Sequence, residues 1–325
     1  MTPLSHVAGL VESRFSADTA PAPDPDAFPE GFVVETRDGT RIHFLDWGSP
    51  PDAAGAAAVL LVPGLGRTAW DWAPVARRLA GRARTIVMDP RGHGLSDAPH
   101  GGYDPAGFAE DVLAVVEGAE LGRAPSLVLG GHGLGAVIVT AAATHGIAAE
   151  TQGIAAATAL VLVDGGWERL EETTRQDPEE ALRALEEPPE VVRSMAAYLA
   201  DRREWDPASW DADQERATRE AVVETAAGRL VRSVRPHALE ASLRAMYAHD
   251  PDTLADLDIP VTILAARDDD EGRREAALRA LGVARARAFR GPIRVARYPN
   301  DGHNLLRYRP AEVAAALLAS TEDPR

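Results

Sequence analysis

From residue 57 to residue 299 the chain keeps returning to one alternation. A short, unbroken apolar run is followed by a longer stretch in which apolar residues recur at helical spacing. The runs are AAVLLVPG, RTIVMDP, SLVLGG, ALVLVDGG, VTILAAR and IRVARYP. Strands that are apolar throughout suit a parallel sheet covered on both faces. The helical stretches include APVARRLAGRA, PAGFAEDVLAVVEGAEL, AVIVTAAATHGIAAE, EGRREAALRALG and the closing PAEVAAALLAS. Upstream, residues 32–36 and 41–47 alternate polar and apolar around Asp38-Gly39, which predicts a hairpin. The pattern as a whole predicts an α/β fold: a mostly parallel, doubly wound sheet of about eight strands with an N-terminal antiparallel hairpin.

The rhythm breaks between residues 168 and 256. This segment is charged, rich in alanine and helical in pattern, with no convincing strand. Inserted after the sixth strand, it is expected to cap the C-terminal edge of the sheet, where open α/β sheets bind ligands. The expected division is an extended lead-in over 1–30, rich in Pro, Ala and Asp; an α/β core over 31–166 and 257–325; and a helical cap over 167–256.

Composition narrows the chemistry. The 325 residues carry a net charge of −16, which argues against nucleic acid or an anionic membrane as partner and leaves a small-molecule substrate. The chain has no cysteine, which excludes thiol nucleophiles, disulfides and thiolate metal sites. It has no lysine either, which excludes a Schiff base. The first residues lack the basic start and apolar run of a secretory leader, and no apolar segment is long enough to span a membrane. Cytoplasmic residence, with no metal and no cofactor, is the expectation. Oligomeric state is not readable.

The stretch LVLGGHGLGAVI, residues 127–138, has an unusual feature. A strand runs into glycines, turns and leaves as a helix, the pattern of a nucleophile elbow, small-x-nucleophile-x-small. Read as Gly131-His132-Gly133-Leu134-Gly135, it has Gly133 where the nucleophile belongs. Glycine has nothing to attack with.

Other landmarks stand in order around it: VPGLGRTAWDW after the third strand, DPRGHGLSDAP after the fourth, then RDDD and PNDGHN after the last two strands. With the elbow, they resemble the α/β-hydrolase fold family, in particular its capped branch of esterases, haloperoxidase-like enzymes, C–C hydrolases and lactonases. The resemblance runs from about Phe32 to Ser320. It implies a nucleophile, an acid and a histidine in that chain order. The family histidine falls on His303. The acid falls on Asp269, with Asp268 close behind and Asp164, after the preceding strand, as a more distant alternative. The three adjacent aspartates can equally be an acidic helix entry. Backbone N–H groups of Leu65 and Leu134 would form the oxyanion hole. His132, Trp70, Trp167, Trp205 and Trp210 are candidates for the substrate pocket, although core packing or cap anchoring would also account for the tryptophans. Asp89, Arg91, His93 and Ser96 read as structural.

Gly133 leaves three functions open. The first is an enzyme acting on a small, fairly apolar carbonyl compound (an ester, a lactone or a C–C bond substrate), in which His303 and Asp269 activate water or move a substrate proton. The second is a serine hydrolase whose nucleophile has been replaced. The third is a ligand-binding pseudoenzyme.

Overall fold

A computed structural model describes residues 8–50, 55–148, 157–185, 191–267 and 271–322. The strands are β1 (Leu10–Glu12), β2 (Glu30–Glu35), β3 (Arg41–Asp46), β4 (Ala58–Val62), β5 (Arg84–Met88), β6 (Leu127–His132), β7 (Ala159–Val163), β8 (Val191–Val192), β9 (Val222–Glu224), β10 (Leu230–Arg232), β11 (Val261–Ala265) and β12 (Ile293–Arg297). The helices are α1 (Ala73–Leu79), α2 (Pro105–Gly118), α3 (Leu134–Ala148), α4 (Leu170–Thr174), α5 (Pro178–Ala184), α6 (Met195–Trp205), α7 (Ala212–Glu220), α8 (Pro236–Ala248), α9 (Thr253–Asp256), α10 (Arg273–Arg287), α11 (Leu305–Tyr308) and α12 (Pro310–Glu322).

Among the described residues, nine strands form one sheet in the order β1-β12-β11-β7-β6-β4-β5-β3-β2. Only the pairings β2–β3 and β3–β5 are antiparallel; the others are parallel. Successive side chains of a strand point to opposite faces. Ala58, Leu60 and Val62 of β4 therefore join a core with α2 and α3, while Val59 and Leu61 join the other face with α1 and α12. Each such buried Leu or Val contributes about 1.5–3 kcal/mol. The continuous apolar runs of the sequence are this two-sided burial written out.

Two expectations need correcting. The sheet has nine strands rather than about eight, because the lead-in supplies β1. Leu10 is buried and its strand pairs with β12 at the sheet edge. Residues 21 and 24 of the lead-in are also tied down, since the Asp24 N–H donates to Arg77 O (2.9 Å) and Arg78 donates to Pro21 O (3.0 Å). The insertion between β7 and β11, in turn, is not wholly helical. Besides α4–α9 it holds a second, antiparallel sheet in the order β8-β10-β9. Val191-Val192, Val222-Val223 and Leu230-Val231 pair there, and β9 and β10 are joined by a turn in which Gly228 N–H donates to Thr225 O. These pairs are too short to stand out against alanine-rich helices.

A tight constraint lies where the start of α3 passes the end of β4. A Cβ on Gly135 would overlap the Val62 and Pro63 carbonyls, so helix and strand can approach only because residue 135 is glycine. Gly135→Ala is expected to cost about 2 kcal/mol or more, as overpacked sites do. Urea unfolding measures this, and an unchanged midpoint would contradict it.

Candidate active site

The elbow predicted at residues 131–135 is present. Gly133 has φ +53°. Its N–H donates to Val163 O (3.1 Å), the last residue of β7, and its carbonyl accepts from Ala136 N–H (3.1 Å) in the first turn of α3. The turn is thus pinned to the neighbouring strand on one side and to the helix on the other. A Cβ built on Gly133 would stand 3.3 Å from His303 Nε2, 3.6 Å from His303 Cε1 and 3.9 Å from Gly64 Cα. A side chain at this position would therefore face the His303 ring, beside the loop that follows β4.

His303 lies in the loop between β12 and α11, and its Nδ1 donates to Asp164 Oδ2 at 2.6 Å. The carboxylate on His303 is therefore Asp164, which the sequence had ranked behind Asp269 and Asp268. Those two residues lie outside the described residues. The sheet order supplies the reason for Asp164. β7 is the immediate neighbour of β6, so the residue that follows it stands next to the elbow, whereas β11 is one strand further away. The local signal was legible: Asp164-Gly165-Gly166 ends an apolar strand at its carboxyl end. Asp164 is held in the left-handed region, φ +46°, an uncommon conformation for a non-glycine residue.

Asp164 is 3% exposed. Its Oδ1 accepts from Ala266 N–H (2.8 Å) and from Arg274 Nη2 (2.9 Å). Burial alone would raise its pKa. The bonds from His303 and Ala266 and the Arg274 charge outweigh burial and hold the carboxyl below its ordinary value. An ionised Asp164 can only accept, so His303 Nδ1 carries the proton of this bond and Nε2 is the ring nitrogen that faces Gly133.

Arg274 also clamps Glu168, with Nε 3.0 Å from both carboxylate oxygens, and its guanidinium lies 5.0 Å from the centre of the Trp167 ring. Burial pushes the Glu168 carboxyl up against the pull of Arg274. Neither Glu168 nor Arg274 was singled out in the sequence. Arg274 belongs to an arginine-rich helix and Glu168 to a charged insertion, and nothing in either pattern marks the pair.

A pocket of about 240 Å³ opens here, lined by Gly133, His303, Asp164, Glu168 and Arg274, with Val137, Leu170 and Met246 as its apolar part. None of the four candidate tryptophans lines it. Trp70 is buried against Trp47 (6.0 Å between ring centres), Trp167 is fully buried beneath Arg274, Trp210 is half-buried at a turn and Trp205 is 74% exposed on α6. His132 stands beneath the site rather than in the pocket. Its Nε2 donates to His303 O (3.1 Å), and burial, followed by the nearby His303, depresses its pKa to about 3, so it stays neutral and supports the His303 loop.

Asp89 behaves as the structural residue expected. It accepts from Ala69 N–H (2.7 Å), Leu95 N–H (3.1 Å) and His43 Nδ1 (2.8 Å), which fixes the segment following the β4 loop. Arg91 is fully buried on Asp111, with contacts of 2.6 and 2.7 Å. Among the described residues, no three His, Cys, Asp or Glu side chains are grouped to hold a metal, and no helix is long and apolar enough to cross a membrane.

Because its pKa is lowered on folding, Asp164 contributes stability that is fully present above the ordinary carboxylate value of 3.8 and is lost as pH falls through its folded value. Asp164→Asn should therefore destabilise the protein by about 1.5–3 kcal/mol at pH 7, the range for hydrogen bonds to a charged group. The gap should narrow below pH 3.8. Urea titrations at pH 7 and pH 3 measure it, and a gap that widens in acid would contradict the assignment.

Comparison with known proteins gives the family. The model of a family described as the alpha/beta hydrolase family matches residues 59–316. Among curated proteins, 2-(acetamidomethylene)succinate hydrolase of Mesorhizobium japonicum is 44% identical over 73 residues, 22% of this chain and 25% of that protein. N-formylmaleamate deformylase of Pseudomonas putida is 37% identical over 127 residues, 39% of this chain and 42% of that protein. The chain thus matches well under two thirds of the length of these relatives. A solved structure of E-2-(acetamidomethylene)succinate hydrolase superposes with a TM-score of 0.68 at 22% identity, covering 91% of this chain and all of that one. The thioesterase domain from the curacin biosynthetic pathway superposes with a TM-score of 0.65 at 22% identity, covering 90% of this chain and 99% of that one. At these identities the structures speak for the fold, and the family match covers most of the chain: the protein belongs to the alpha/beta hydrolase family.

Proposed function

We propose that the chain is a hydrolase acting on a small carbonyl compound, with Asp164 and His303 as a base pair and water in the role a serine would fill. The observation that carries this reading is the 3.3 Å between His303 Nε2 and the Cβ position of Gly133, with Nδ1 of the same ring bonded to an ionised carboxylate. A water standing where a side chain at position 133 would stand can give its proton to Nε2 and add to a bound carbonyl carbon. The oxyanion then forms beside the backbone N–H groups of Leu65 and Leu134. Leu134 opens α3, whose first N–H groups have no partner within the helix. Collapse of the adduct expels the leaving group, which takes the proton back from the His303 imidazolium. The products are the acid and the protonated leaving group, and the chemistry asked of these residues needs no cofactor. Leu170 and Met246, from the segment between β7 and β11, line the pocket and support a role for that segment as its cap. The relatives named as a hydrolase and a deformylase support carbonyl hydrolysis as the reaction type.

A second reading, a serine hydrolase that has lost its nucleophile, draws on the same elbow. Gly133 retains a left-handed φ, and a Cβ there would have only ordinary or slightly tight contacts.

His303→Ala should lower kcat for 4-nitrophenyl acetate by about 10²–10⁴-fold, the usual contribution of a general base. KM should stay within a few fold. Steady-state kinetics at pH 7 decide the matter, and an unchanged kcat would remove His303 from the reaction.

A further inference from the structure

Glu168 lines the pocket but has no part in the reaction as written. It follows Asp164 by four residues, across Gly165 and Gly166. A Cβ on Gly165 would stand 2.8 Å from Gly133 Cα, so this segment passes directly against the elbow. Glu168 is 7% exposed and shares the Arg274 guanidinium with Asp164. Arg274 Nε lies 3.0 Å from both Glu168 oxygens, Nη2 donates to Asp164 Oδ1 (2.9 Å) and Nη1 donates to Arg267 O (3.0 Å). One guanidinium thus joins the carboxylate that orients His303 to a second carboxylate in the pocket wall.

As a partner for Arg274 Nε, a neutral amide oxygen would serve with less loss of hydration than a buried carboxylate. What the charge adds is electrostatic. Arg274 helps to keep Asp164 ionised, but its positive charge also opposes a second positive charge on the nearby ring. In the proposed reaction His303 takes a proton from water and becomes an imidazolium. A negative charge on Glu168 offsets the guanidinium, so that less of the pull of Asp164 on the ring is cancelled. Beside Val137, Leu170 and Met246 such charges are screened less than in bulk water.

We infer that Glu168 is a positioning residue of the base: acting through Arg274, its charge supports the imidazolium that His303 forms in the reaction. This deepens the function proposed above and rests on it. The other charged groups on the elements about His303 are Asp164, Arg67 of the β4 loop, Arg267 on the pocket wall and Asp301 of its own loop, which pairs with Arg309 (2.9 Å). His132, whose ring centre is 4.5 Å from that of His303, is neutral. These groups are the same in every variant below, as are residues 268–270, which lie outside the described residues.

Two substitutions separate charge from shape. Glu168→Gln keeps the length of the side chain and an acceptor for Arg274 but removes the charge; Glu168→Asp keeps the charge and shortens the reach. The first measurement needs no turnover. The His303 ring signal, identified by its absence from His303→Ala, is titrated by NMR in protein carrying isotope-labelled histidine. Its midpoint should fall by about half a unit or more in Glu168→Gln and stay within about 0.2 unit in Glu168→Asp. The second measurement is kcat for 4-nitrophenyl acetate against pH. In Glu168→Gln the plateau should fall about three- to tenfold and the acid limb should move down with the NMR midpoint, with KM within a few fold. Glu168→Asp should lose less. A merely structural clamp predicts the reverse, with Glu168→Gln silent and Glu168→Asp impaired.

A midpoint unmoved by Glu168→Gln, or moved as far by Glu168→Asp, overturns the inference. The double variant Glu168→Gln/Arg274→Gln removes both charges and should titrate at higher pH than Glu168→Gln alone; a midpoint at or below that of the single variant also overturns it. Should Glu168→Gln fail to fold, the double variant carries the test against the unsubstituted protein, and a lower midpoint than that protein's overturns the inference. If the midpoints move as expected and the ester is not turned over, the electrostatic role of Glu168 stands and the hydrolytic reading falls.

Discussion

The site depends on one buried charge. Asp164 has almost no contact with solvent, and a lone carboxylate there would be costly enough to protonate instead. It stays ionised because three donors from separate parts of the chain converge on it: the His303 ring from the loop after β12, the Ala266 N–H after β11, and Arg274 from α10. The bond that fixes the tautomer of His303 is therefore also a joint between three crossovers of the sheet. Arg274 extends the joint to Glu168, so the first residues of the inserted segment are held by the charge that serves the histidine. The left-handed backbone of Asp164, uncommon for a non-glycine residue, is supported by this convergence beside the elbow at Gly133.

Much of this was legible along the chain, and the parts that were not share a cause. The β4–β7 strands, the elbow and the position of His303 follow from local pattern: apolar runs, glycine punctuation, and a histidine after the last strand. The acid does not. Asp164 and Asp269 each follow an apolar strand, and only the order of strands in the sheet places the end of β7 beside β6. That order is a property of the folded chain. β1 was missed because three residues in a proline-rich lead-in carry too little pattern to count as a strand, though Leu10 had a place in the core. The tryptophans misled for a different reason. Aromatic residues near a binding loop suit a pocket wall and a packed core equally well in sequence, and Trp70 and Trp167 proved to be core.

Two cavities lie against the elbow and the β4 loop. One faces His303 and has an apolar wall at Val137, Leu170 and Met246; the other is walled in part by Leu65, Gly66 and Arg67 of the β4 loop. Asp89 fixes the segment that follows this loop, His132 supports the His303 loop, and both side chains are buried. Position 133 has no side chain, and the His303 ring, bonded to Asp164, faces the place where one would stand. On the reading proposed above, His303 activates, Asp164 orients, and the N–H groups of Leu65 and Leu134 stabilise the chemistry at that point.

The central claim is that Asp164 and His303 form a competent base aimed at position 133. It is tested most directly by supplying an atom for them to activate. Gly133→Ser, verified as folded by circular dichroism, would be treated with a fluorophosphonate and analysed by intact-mass and peptide mass spectrometry. The account predicts one covalent adduct per chain, located at position 133, and its loss in the double variant Gly133→Ser/His303→Ala. A folded Gly133→Ser protein that stays unmodified, or one modified equally without His303, would contradict it.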